Sequence, residues 1–168
     1  MTTAQPEPAL LASHLGRCLL RSLGKRQFAN GSGVALVDWA VDALVGGWDS
    51  PSLRILAGLE KPPNEFEVDH FVARLAHELG IALPDRKGLT DQYALAIARD
   101  IVDGVTPPYD GARELRLLCI SMHDMNNLSA WNGFEDQFEL ARDYAIGDVG
   151  TVEREIVNEA RHMLGEEE

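Results

Sequence analysis

Cysteine is scarce: the chain of 168 residues has two, Cys18 and Cys119. Each lies among leucines or isoleucine, where a free buried thiol is the ordinary state of a small intracellular protein. No apolar run approaches the ~20 residues that a membrane span needs, so no membrane partner is expected. Thr, Gln, Pro and Glu open the chain, and basic residues arrive only after the first apolar segment. A secretory signal has the opposite order, and the cytoplasm is the expected location. Sustained two-residue alternation is missing throughout, which excludes a sheet of consequence. Missing too are HExxH, paired CxxC and a phosphate-cradling loop. Gly31-Ser32-Gly33 precedes a helical pattern but follows no strand, so the dinucleotide-binding context is absent.

Basic residues are also thin, and unevenly so. The net charge is −12. Residues 1–30 carry +3, from Arg17, Arg21, Lys25 and Arg26 against Glu7. Residues 31–131 hold 15 acids and 8 bases, giving −7, and residues 132–168 hold 11 acids and 3 bases, giving −8. Such a field repels nucleic acid and attracts basic partners, although acidity also serves plain solubility.

What is present is helical patterning. With 45% hydrophobic residues, the chain can fill one core and is marginal for two. Residues 1–8 contain two prolines and read as a disordered tail, leaving 9–165 as a single helical domain. Leu11, Leu15, Leu19 and Leu23 mark an amphipathic helix over 9–23 that Gly24 should stop. Val34–Val45 follows, then Ser50 with Pro51 at a helix start. Asn64 with Glu67 makes a capping-box-like opening to a helix that Gly80 closes. Thr90 is the expected cap of the next helix, which Gly104 ends. Thr106-Pro107-Pro108 then forces a turn, and Asp110 is placed to cap a helix containing Leu115, Leu117, Leu118, Cys119, Ile120 and Met122. That helix is apolar on nearly every side and should be buried. Helices over 134–146 and 151–164 complete a compact all-α bundle of about eight.

NEFEVDHFVARLAHELG at 64–80 is echoed by NGFEDQFELARDYAIG at 132–147, and DSPSLRIL by DGARELRLL. Two related three-helix units, spanning 34–80 and 90–147, are one reading. Chance convergence of capped amphipathic helices is the other. Either is compatible with a compact bundle, since a solenoid needs three or more units.

Candidate sites are few. His70 and His77 lie seven apart with Arg74 between them, too far for one metal and with the wrong neighbour, so they read as surface residues. His123 and His162 could meet only in space. Ser32, Ser121 and Cys119 lie in no nucleophile motif, so the case for an enzyme is thin and neither cofactor nor metal is expected. Helix-turn-helix binding of DNA fails on charge. The would-be recognition helix carries Glu65, Glu67, Asp69 and Glu78 against one arginine. What remains is the acidic C-terminal pair of helices. Glu135, Asp136, Glu139 and Asp143 lie on one, Glu155 and Glu159 on the other, and Trp131 stands at the start as a candidate aromatic anchor. If the helices are neighbours, their outer faces merge into a negative partner-binding surface.

The segment IVDGVTPPYDGARELRLL resembles an element of small, uncharacterised bacterial helical proteins, some of them similar to immunity proteins of toxin systems. The likeness rests on Gly104, Pro107, Pro108, Tyr109, Asp110, Gly111 and Ala112. It implies an acidic, cytoplasmic, non-catalytic binder, which agrees with the charge pattern, and the first expectation is a module whose acidic face occludes a basic protein partner. Two alternatives stand beside it: a helical enzyme with a histidine–carboxylate site, and an oligomerising module in which the leucine-rich first helix pairs between copies.

Overall fold

The computed structural model describes residues 13–29, 31–122 and 126–166, with the side chains of residues 126 and 127 left aside. Among these, the chain forms eight α-helices, one 3-10 helix and no strand, so the all-α reading holds. None of these helices is long and apolar enough to cross a membrane. The helices fall into two compact units, one running up to Thr90 and the other from Asp91 onward.

The first unit contains α1 (His14–Phe28), α2 (Val34–Val45), α3 (Pro51–Ala57) and α4 (Glu65–Leu79). Each packs on the next in chain order. Its core is built from Leu19, Leu36, Val37, Trp39, Ala40, Leu53, Leu56, Val68, Val72 and Leu75. The Trp39 indole, buried against that core, donates to the Leu15 carbonyl at 2.8 Å and ties α2 to α1. Caps place the helix ends where the sequence indicates. Ser50 accepts from the Leu53 N–H at 3.2 Å, Asn64 accepts from the Phe66 N–H at 2.9 Å, and Gly80 closes α4 in the left-handed region.

Gly24 does not stop the first helix. It is buried inside α1, which continues through Lys25 and Arg26 to Phe28. A glycine costs a helix interior only about 1 kcal/mol, and beyond it Arg26 pairs with Glu65 and Asp69. Leu10 and Leu11, counted in the expected helix, lie outside the described residues.

A fifth helix, α5 (Arg86–Val102), begins in the first unit and runs into the second. It starts four residues before Thr90, because Asp85 takes the cap: its carboxylate accepts from the Gly88 N–H at 2.7 Å. Thr90 is instead buried, its hydroxyl donating to the Arg86 carbonyl. The second unit continues with α6 (Pro108–Met122), the 3-10 helix Asn126–Asn132, α7 (Phe134–Tyr144) and α8 (Val149–Met163). Asp110 is not the cap of α6. The helix opens at Pro108, where a missing N–H loses nothing, and the Pro107 carbonyl receives the Gly111 N–H at 3.1 Å. Gly111 meets Ile101 so closely that a Cβ there would lie 2.4 Å from the isoleucine Cγ1.

The expectation that α6 is buried all round is also corrected. Gly111, Ala112, Leu115 and Leu118 are buried, but Leu117 and Ile120 are exposed. The helix has one core face, as amphipathic helices do. The helix expected over 134–146 ends at Tyr144, with Ala145 in the left-handed region at φ 54°. Helix α8 starts two residues before the expected Thr151, because Asp148 accepts from both the N–H and the hydroxyl of Thr151 at 2.8 Å. Of the echoed segments, 49–56 and 110–118 contribute to helices of 7 and 15 residues, and 64–80 and 132–147 to helices of 15 and 11.

Candidate acidic interface

The candidate surface is built on α7 and α8, which pack against each other and against α6. Ala141, Val152, Ile156 and Ala160 are buried, and the acids are held away from them by the helical period. On α7, Asp136, Glu139 and Asp143 recur at intervals of three and four and are all exposed. On α8, Glu155 is exposed and Glu159 half-buried.

Two of the expected site residues take other roles. Trp131 has 0% exposure, lies 5.5 Å from the Phe134 ring, and cannot present a ring to a partner. Its 3-10 helix turns it inward, where it becomes the largest fully buried side chain among the described residues. Glu135 is drawn back onto α6, in an ion pair with Arg116 and a longer one of 3.9 Å with Arg113, and its side chain is 17% exposed. This carboxylate serves the packing of α7 on α6.

Asp143 stays outside but is forked by the Arg142 guanidinium, at 2.7 and 2.8 Å. Those hydrogen bonds hold its carboxyl below the usual carboxylate range and raise the arginine above its own. Arg142 also lies 5.9 Å over the Phe138 ring, and Phe138 stacks on Tyr109 at 4.3 Å. Arg142 is thereby fixed at one edge of the acidic stripe.

The sequence reading missed the apolar part of this surface. Leu140, Tyr144 and Ile146 are 42%, 71% and 62% exposed. The available signal was spacing: Leu140 and Tyr144 form an i, i+4 pair beside the Phe134, Phe138 and Ala141 stripe, on the flank of α7 opposite Glu135 and Arg142.

Hollows lie on the first unit among the described residues, two of them beside residues considered above. One, of about 610 Å³, is lined by Leu23, Arg26, Gln27, Ser32, Glu65 and Asp69, among others. Arg26 is fully engaged there, by both carboxylates and by the Glu65 carbonyl at 3.0 Å. Burial lowers its pKa, but its hydrogen bonds to Asp69 and Glu65 outweigh that and raise it. The other hollow, of about 340 Å³, lies over His70, Arg74 and His77. Both histidines are exposed, as expected, and so is His162, while His123 lies outside the described residues. Among the described residues no three His, Cys, Asp or Glu side chains come together as a metal site. The Ser121 hydroxyl donates to the Leu117 carbonyl at 2.9 Å, and Cys18 and Cys119 are not joined in a disulfide.

Comparison of the chain with family models, with curated proteins and with solved structures gives no match.

Proposed function

We propose that this chain is a protein-binding module whose α7–α8 surface receives a basic protein partner. Its mode of action is occlusion: the acidic face lies over the partner's own functional cleft. The observation that carries this reading is the exposure of Asp136, Glu139, Asp143 and Glu155 on two packed helices, in a segment of net charge −8. Such a surface speeds encounter with a cationic one and loses that advantage as salt rises.

The test is the triple reversal Glu139→Lys, Asp143→Lys and Glu155→Lys. The partner is first recovered from the source lysate and secreted fraction at low salt and released at high salt. Association of the purified pair is then followed at low salt. The variant should associate more slowly by about tenfold or more, with its helical circular dichroism unchanged. Unaltered association would remove the acidic face from the account.

A further inference from the structure

Leu140, Tyr144 and Ile146 lie within seven residues of one another and are all solvent-exposed. The backbone fixes their arrangement. The Ala145 N–H and the Ile146 N–H both donate to the Leu140 carbonyl, the latter at 3.0 Å, with Ala145 left-handed. The chain therefore turns back at the end of α7 instead of leaving it, and Ile146 is held to the turn that bears Leu140. Asp136 precedes Leu140 by one helical turn, and Asp143 lies between Leu140 and Tyr144 in sequence. The apolar side chains thus border the acidic stripe on one side.

We infer that Leu140, Tyr144 and Ile146 are the anchor of the interface, and that the segment fitting them is a basic amphipathic helix. Its aliphatic side chains cover the strip while its lysines or arginines meet Asp136, Glu139 and Asp143. This rests on the proposed function and adds the partner's chemistry to it. A second copy of the chain does not fit through this same face, because its own Asp136, Glu139 and Asp143 would be brought against the same acids. Nucleic acid is repelled for the same reason. Charge alone would give fast but short-lived association, whereas a tyrosine and two aliphatic side chains removed from water supply the slow dissociation.

Three labelled helical peptides of equal length test the inference by fluorescence anisotropy on the full chain. One alternates lysine and leucine on opposite faces, one replaces its leucines by serine, and one replaces its lysines by glutamate. The Lys/Leu peptide should bind about tenfold or more tighter than the Lys/Ser peptide, and the Glu/Leu peptide should not bind. The double variant Leu140→Ser, Tyr144→Ser should lose about tenfold for Lys/Leu and nothing for Lys/Ser. Tyr144→Phe should keep most of the affinity, and Phe66→Ser, at an exposed ring in the other unit, should change nothing. All these positions are exposed, so circular dichroism should report unchanged folds.

Equal affinity for the Lys/Leu and Lys/Ser peptides, both lost in the triple reversal, would overturn the anchor and leave the acidic face standing. Failure of both basic peptides to bind would overturn the two readings together. Tight binding of the Glu/Leu peptide would overturn the charge matching.

Discussion

Trp131 illustrates why a side chain's type does not fix its role. Placed before an acidic helix, the ring has the makings of an interface anchor. In the fold it is fully buried, and its indole nitrogen has no hydrogen-bond partner among the described residues. Trp131→Ala should therefore cost about 3–5 kcal/mol of unfolding free energy, read by urea titration. Trp131→Phe should cost much less, since it keeps most of the volume and removes the unpaired donor. Loss of partner binding in Trp131→Ala without loss of stability would return the ring to the surface. Glu135 makes the same point for charge. It belongs by sequence to the acidic stripe and by geometry to Arg116 and Arg113.

At the scale of the elements, α6 is positioned by a close approach rather than by bulk. Gly111 admits Ile101, whose Cγ1 and Cδ1 would lie 2.4 and 2.6 Å from any Cβ there. Both residues are buried, so neither can step aside cheaply. Gly111→Ala should destabilise the protein by about 1–3 kcal/mol, as overpacking does. A urea midpoint equal to that of the parent would show that the contact yields.

The helices were largely legible in the sequence, because capping chemistry is local. Ser50 with Pro51, Asn64, Gly80 and Gly104 mark boundaries that the structure keeps. Some boundaries moved where a nearby cap was taken in place of the expected one, as at Asp85 and Asp148, and one moved where residues far along the chain pack on the helix end. Gly24 lies inside α1, and just beyond it Arg26 pairs with Glu65 and Asp69, which lie 39 and 43 residues further on. Spacing set Leu140 and Tyr144 apart from the core stripe of α7, whereas the exposure of Leu117 and Ile120 was not legible. Helical spacing says which residues share a face but not which face the rest of the unit covers. Of the acids chosen from sequence, Asp136, Glu139, Asp143 and Glu155 are exposed, whereas Glu159 is half-buried and Glu135 is drawn inward.

For the molecule as a whole, charge sets the response to acid. Hydrogen bonds from Gly33 hold the Glu65 carboxyl low, those from Ser52 do the same for Glu78, and those from Thr151 for Asp148. A carboxyl depressed in the folded state contributes stability that is present above its unfolded value, roughly 4, and lost as pH falls through the folded one. The urea midpoint should hold between pH 7 and 5 and drop at pH 3. A midpoint that rises at pH 3 would mean that relief of the −12 self-repulsion outweighs these local bonds. The grip on Arg26 also has a consequence in time. A ribosome adding about 5–20 residues per second needs about 2–9 s to make the 43 residues between Arg26 and Asp69. Throughout that interval Arg26 lacks the two acids that hold it in the folded unit, so the first unit cannot close until α4 has been made.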